Sequence, residues 1–277
     1  MPAPLTYADL LQPDWHAAPR VRALITTRNG GVSQPPYGAW RDGADLPGGL
    51  NLGRRSGDVP EHVEANRARL LALAGVNEAA WLEQIHSATI VSADEVLANA
   101  RAGGAPVRAD ASVTGQPGNV CVVMAADCMP VLFCDPQGRA VGAAHAGWRG
   151  LAAGIVEATA QRVAELAGAD PATLHAYLGP CIGPTAFEVG SDVRDAFLDA
   201  APAAQRDATA HAFAPRAGVP GKYFADLPAL ARLRLAPLGL MHISGGEQCT
   251  YTLRERYYSY RRDHVTGRMA ALVWLAE

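Results

Sequence analysis

Three residues carry the side chains best suited to hold a metal ion or drive a nucleophilic step: His86, Cys128 and His145. Two imidazoles and a thiolate leave a tetrahedral zinc ion one open corner, the arrangement of catalytic rather than structural zinc. The same set suits copper. It also serves metal-free chemistry, with Cys128 as nucleophile, His145 as its base and glycine-rich loops as oxyanion donors. Cys181 is a second candidate nucleophile, and a purely structural role for these buried residues stays open beside both. The ligands follow no C-x-x-C or H-E-x-x-H spacing. With eight histidines and no His-x-His pair, the chain is poorly supplied for a multicopper cluster.

Positioning these side chains falls to the stretch from Asn119 to Gly150. Val120–Ala125 is an apolar run that ends at Asp127-Cys128. Val131–Cys134 and Ala140–His145 flank the turn signal Asp135-Pro136-Gln137-Gly138, which predicts a hairpin. Met129 would face away from Cys128 in an extended segment. After His145 the chain breaks at Gly147 and opens a helix reaching about Gly168, with Leu151, Ile155, Val156, Val163 and Leu166 at helical spacing. Arg149 then falls in the first turn, against the helix dipole, which marks it as a candidate functional residue.

Elsewhere, Met1 to Arg20 reads as irregular and Val21–Thr27 as a strand. Gly30-Gly31 is either a plain turn or a pair of N–H groups aimed at an anion. The segment from Gln34 to Gly57 is long and glycine-rich, followed by a helix over Glu61–Ala74 stopped at Gly75. Trp81–Ile90 is strand-like, interrupted at His86-Ser87, and Ala98 to Pro106 reads as a surface loop. Leu174–Leu178 is a strand ending in Gly179-Pro180-Cys181-Ile182-Gly183-Pro184, a rigid loop around a thiol. Ser191 is expected to cap a helix to about Ala200, with a loop from Pro202 to Gly221 and a helix over Asp226–Leu235. Strands are expected at Leu240–Ser244 and Met269–Leu275. Alternating strands and helices with hairpins, and no repeat or linker, predict an α+β fold over residues 1–277: one domain of mixed sheets flanked by helices.

The 277 residues are 49% hydrophobic and 18% charged, with a net charge of -3 and no basic block. That argues against a nucleic-acid or anionic-membrane surface. No apolar run reaches the ~18 residues of a membrane span. No signal peptide is read at the start. Five cysteines, most in or beside apolar strands, suit free thiols in a reducing cytoplasm. Lys222 is the only lysine, which argues against Schiff-base chemistry.

Seven motifs occur in order: Thr27-Arg28 with Gly30-Gly31-Val32-Ser33, Asn51-Leu52-Gly53, Gln84-Ile85-His86-Ser87, Ala126-Asp127-Cys128-Met129-Pro130, His145 to Gly150, Gly179 to Gly183, and Ser259 to Asp263. Together they resemble the YfiH family, also described as a multicopper polyphenol oxidase or laccase-domain family and as purine nucleoside phosphorylase. The resemblance runs from about Val21 to Leu275. It implies a fold like the cytotoxic necrotizing factor catalytic domain and a zinc ion held by His86, Cys128 and His145. It implies phosphorolysis of adenosine, inosine, guanosine and methylthioadenosine, and deamination of adenosine. Editing of peptidoglycan precursors by a Cys–His amidase, copper polyphenol oxidation and metal binding without catalysis are the alternatives. The expected partners are purine nucleosides and phosphate. Arg28, Arg149 and Arg261, with the Gly30 and Gly31 N–H groups, are candidates for phosphate. Asn51 and Cys181 are further candidates for substrate contact, and Asp127 could orient a histidine or carry a proton.

Overall fold

The computed structural model describes residues 4–277. Two sheets stack face to face. One has four antiparallel strands in the order Leu10–Leu11, Val21–Thr26, Met269–Leu275 and Val120–Ala125. The other has six, in the order His242–Gly245, His175–Leu178, Met129–Cys134, Val141–Ala146, Ala111–Thr114 and Ile90–Ser92. Its two outer pairings are parallel and the inner three antiparallel, so the sheet is mixed.

The apolar runs of the central stretch are continuous rather than alternating because both faces of the six-stranded sheet are covered. Leu132, Cys134, Val141 and Ala143 point at the other sheet and pack on Ile25, Val123 and Val273. Val131, Phe133 and Ala144 point the opposite way, onto Ile155, Val156, Ala160 and Val163 of the helix Ile155–Ala167. Each fully buried Val, Leu, Ile or Phe among them contributes roughly 1.5–3 kcal/mol relative to exposure. The outer face of the four-stranded sheet carries Leu24, Val122 and Leu272 against Leu50, Leu52 and Leu70, the last from the helix Pro60–Ala74. The result is a layered α+β fold of several sheets flanked by helices, as the sequence predicted, with the six-stranded sheet the mixed one.

Several local expectations are corrected. The N-terminal segment includes a 3-10 turn, Tyr7–Asp9, and the short edge strand Leu10–Leu11; residues 1–3 lie outside the described part. Trp81–Ile90 is not a strand: Ala80 and Glu83 make single bridges, and regular pairing begins only at Ile90. The stretch Ala98 to Pro106 begins inside the helix Ala93–Arg101, which Ser92 caps through a bond from the Asp94 N–H. The helix after His145 is split at Gly154 (φ 92°) into Trp148–Ala152 and Ile155–Ala167. Ser191 lies inside its helix, behind Gly190 at the cap, and 202–221 holds the helix Arg206–His211 and the strand Phe213–Pro215. The long segment before residue 57 contains the small hairpin Ala39–Arg41 with Ala44–Leu46.

Candidate metal centre

Strand register brings the cluster together. His145 pairs with Pro130 and Ala146 with Met129, so the last residues of Val141–Ala146 lie beside the first of Met129–Cys134. Cys128 precedes that strand, in the turn that crosses from one sheet to the other. Met129 is fully buried in the core, on the far side from the cluster. His86 arrives from the irregular segment between the Glu83 bridge and the strand that begins at Ile90, with φ at 59°.

The ligand atoms of His86, Cys128 and His145 all lie within 4.8 Å of one another. Cys128 Sγ is 3.9 Å from His86 Nε2, and the two imidazole rings meet edge to face at 4.9 Å. The donor set fits a metal, and so does the space beside it. A Cβ at Gly147 would fall 2.9 Å from Cys128 Sγ and 3.3 Å from His86 Cδ2, so the cluster is built against a bare backbone.

A residue that sequence reasoning passed over organises the cluster. Asp110 is fully buried. Its Oδ1 lies 2.9 Å from His145 Nδ1 and accepts the His86 N–H at 2.9 Å; its Oδ2 accepts the Ser87 N–H at 2.7 Å and the Ser87 hydroxyl at 2.8 Å. One carboxylate therefore fixes the positive-φ loop that carries His86 and the ring orientation of His145, leaving Nε2 of His145 for the cluster. Capture of these N–H groups by a carboxylate also explains why residues 85–87 do not pair as a strand. The only hint in the sequence was an aspartate directly before an apolar strand.

The charges are mutually supportive. Burial pushes the Asp110 carboxyl up, but the hydrogen bonds from His145 and Ser87 outweigh it and bring it to about 2. Burial also opposes ionisation of Cys128, yet His145 and His86 hold its thiol down to about 6. Burial would lower His145; Cys128 and Asp110 together raise it to about 9. At neutral pH without metal, the pair is thiolate and imidazolium.

The three cluster residues line one groove of about 1210 Å³, together with Arg54, Arg55, Arg67, Tyr260 and Arg268. Arg54 and Arg55 are paired with Glu64 and Glu83. Arg67 lies over Trp81 at 3.8 Å, donates through Nε and Nη2 to the Leu52 carbonyl, and finds no hydrogen-bond partner for Nη1 among the described residues. Arg268 is held by the carbonyls of Thr266 and Gly267 and lies beside Tyr260.

Most of the residues expected to touch substrate are elsewhere. Arg28 is 1% exposed, and its guanidinium is bound by the Gly38 and Arg254 carbonyls and the Asp45 carboxylate, so it is a structural clamp. Gly30 and Gly31 belong to the strand Asn29–Ser33; the Gly31 N–H donates to Gly48, and its missing Cβ makes room for the Gly49 carbonyl. Neither glycine lines the groove. Arg149 is exposed and lies over Trp148 at 4.4 Å, outside the groove. Arg261 is exposed too, over Phe187, and donates to the Glu188 carbonyl. Asp127 does not orient a histidine: its carboxylate accepts the Thr250 hydroxyl at 2.6 Å and the Arg261 N–H at 2.7 Å, tying the Cys128 turn to the C-terminal segment. Asn51 is fully buried and acts at one remove, its Oδ1 accepting the Arg268 N–H at 2.9 Å. Cys181 is buried beside Cys249, away from the groove.

Fold and cluster together define an α+β protein with a three-ligand metal-type site opening into an arginine-lined groove. The model of the family described as multi-copper polyphenol oxidoreductase laccase matches residues 22–276. The purine nucleoside phosphorylase YfiH of Escherichia coli is 47% identical over 267 residues, covering 96% of this chain and 98% of that protein. A purine nucleoside phosphorylase of Pseudomonas aeruginosa matches equally, at 47% over 267 residues with the same coverage. Among solved structures, a Neisseria meningitidis protein is 46% identical with a TM-score of 0.83, covering 97% of this chain and 100% of that one. YlmD from Geobacillus stearothermophilus is 30% identical with a TM-score of 0.80, covering 97% and 99%. The chain belongs to this laccase-like family, that of the YfiH proteins. No helix among the described residues is long and apolar enough to cross a membrane.

Proposed function

We propose that this protein is a zinc-dependent purine nucleoside enzyme of the cytoplasm. It cleaves adenosine, inosine, guanosine and methylthioadenosine with phosphate and releases ammonia from adenosine. The observation that carries the reading is the shared groove: His86, Cys128 and His145 face the same space as a set of arginines. Relatives at 47% identity that bear the name purine nucleoside phosphorylase support it.

His86, Cys128 and His145 would hold the ion. Bound there, zinc would supply Lewis-acid chemistry toward a substrate oxygen. Asp110 keeps the Nδ1 proton of His145 in place, so the ring offers Nε2 inward. Arg268 presents a guanidinium to the groove for phosphate, whose oxygens match its paired donors. Arg67 stands in the same wall, its Nη1 buried and without a hydrogen-bond partner among the described residues. Tyr260 gives the groove an aromatic face of the kind a purine stacks on.

The test is a panel of purine nucleosides with and without phosphate, using protein whose metal content is measured by elemental analysis. Phosphate-dependent release of free base and ribose 1-phosphate, lost on chelation and restored by zinc but not copper, is expected. Undiminished turnover of zinc-free protein would overturn the metal-dependent reading.

A second reading rests on the Cys128–His145–Asp110 chain, which has the order of a nucleophile, base and orienting acid. As a metal-free Cys–His amidase acting on peptidoglycan precursors, the protein would turn over muropeptides in chelator without phosphate. Absence of that turnover removes this reading.

A further inference from the structure

Two cysteines lie outside the metal cluster but directly opposite one another. Cys181 and Cys249 form an isolated parallel β-bridge, with the Cys181 N–H donating to Gln248 and the Cys181 carbonyl accepting from Thr250 at 2.9 Å. Paired residues of adjacent strands sit about 4.7–4.9 Å apart with side chains on one face. A disulfide spans Cα atoms about 4.4–6.8 Å apart.

The two thiols differ in kind. Cys249 is half-buried and accepts the Gly183 N–H on Sγ at 3.1 Å. That approach favours glycine: a Cβ at residue 183 would fall 3.2 Å from Sγ and 3.1 Å from Cβ of Cys249, closer than ordinary contact. Burial raises the Cys249 thiol, but hydrogen bonds from Thr252, Gly183 and Tyr251 outweigh it and hold it below its ordinary value. Cys181 is buried, and desolvation, with the charge of Cys249 next, pushes it well above. Cys121 and Cys134 are buried in the core and pushed up to about 12. With metal on Cys128, Cys249 is the one thiol with both access and anion-stabilising donors.

We propose that Cys249 and Cys181 form a peroxide-sensitive dithiol, in which accessible Cys249 attacks a hydroperoxide and buried Cys181 resolves the product to a disulfide. The sulfur of Cys249 displaces hydroxide from hydrogen peroxide, breaking the O–O bond; sulfur is oxidised by two electrons, and the hydroxide takes a proton and leaves as water. The sulfur of Cys181 then attacks the Cys249 sulfenic acid. The S–O bond breaks, the hydroxyl leaves with the Cys181 proton as a second water, and the S–S bond forms. Sulfenic acid formation at Cys249 takes away the second of the causes that raise the Cys181 thiol, after burial. This dithiol is independent of the nucleoside reading.

The experiment uses the metal-loaded full chain. It is exposed to graded hydrogen peroxide, quenched by alkylation and mapped by mass spectrometry without reduction. The expected product is a single linked peptide pair joining Cys181 to Cys249, two hydrogens lighter than the dithiol and reversed by dithiothreitol. Cys181→Ser should instead leave a sulfenic acid on Cys249 that dimedone traps, and Cys249→Ser should slow oxidation of Cys181 by about tenfold or more. Oxidation of Cys249 no faster than that of Cys121 and Cys134, or its oxidation in the wild type with no link to Cys181, overturns the proposal. The wild-type map alone decides if a variant does not fold.

Discussion

Asp110 Oδ1 lies 2.9 Å from His145 Nδ1, and the same oxygen accepts the N–H of His86 at 2.9 Å. One buried acceptor therefore sets two of the three candidate ligands, one through its ring and one through its backbone. Ligand orientation by such a partner typically changes metal affinity about 10–100-fold.

Asp110→Asn is expected to weaken zinc binding by about that 10–100-fold factor, because an amide offers one acceptor where the carboxylate offers two. Its depressed pKa adds a stability term. The contribution is present above the ordinary value of 3.8 and is lost as pH falls through about 2. Wild-type metal-free protein should therefore lose stability between those values more steeply than the variant. Chelator competition and acid unfolding followed by circular dichroism check both. Unchanged affinity with unchanged acid unfolding would show that the contact orients nothing.

Gly147→Ala isolates the cluster from the fold. Gly147 has φ -65° and ψ 160°, which alanine adopts without strain. The added methyl would meet Cys128 Sγ and His86 Cδ2 at 2.9 and 3.3 Å. Stability of the metal-free protein should fall by no more than about 1–3 kcal/mol, leaving it folded, while zinc affinity falls by about tenfold or more. Thermal unfolding without metal, set beside zinc titration, separates the two. Wild-type zinc affinity would show that the ligands do not use that space.

How much of this was legible in the sequence depends on range. The three candidate ligands stood out because His and Cys are chemically distinctive, and the hairpin around Asp135 to Gly138 announced itself through turn residues; the Gly138 N–H does donate to the Asp135 carbonyl. Asp110 was not legible, because its meaning lies in accepting N–H groups from residues 85–87, more than twenty positions away. The surroundings of the arginines were not legible for a related reason. A motif arginine such as Arg28 is conspicuous in one dimension, but only burial reveals that carbonyls already occupy its donors. Arg67 sits in a helix and Arg268 before a strand, positions with no local signal at all.

Metal binding should depend on pH with a defined sign. Between about 6 and about 9 the metal-free pair is Cys128 thiolate with His145 imidazolium. An ion must displace the proton from His145 Nε2, so affinity should climb about tenfold per pH unit in that window and level off above it. Below it, protonation of Cys128 as well should steepen the slope to about a hundredfold per unit. Calorimetry in two buffers of different ionisation enthalpy counts the proton directly. Affinity flat across neutral pH would mean the imidazolium does not form.

On the proposed function, the anion charge falls to Arg268 rather than to the exposed arginines. Arg268 lines the same space as Cys128, its backbone is fixed by Asn51, and its own Nη1 is anchored by two carbonyls. Arg149 lies outside, over Trp148. A charge-assisted hydrogen bond contributes about 1.5–3 kcal/mol, so Arg268→Gln should raise the phosphate KM by roughly 10- to 150-fold. The nucleoside KM should move much less, because the base and ribose do not need the charge. Arg149→Ala should leave both within about twofold, as a surface substitution does. Steady-state kinetics with phosphate and nucleoside varied in turn give the comparison. If Arg149→Ala raised the phosphate KM and Arg268→Gln did not, the anion would enter from the Trp148 side, and the groove would not be where phosphate meets the cluster.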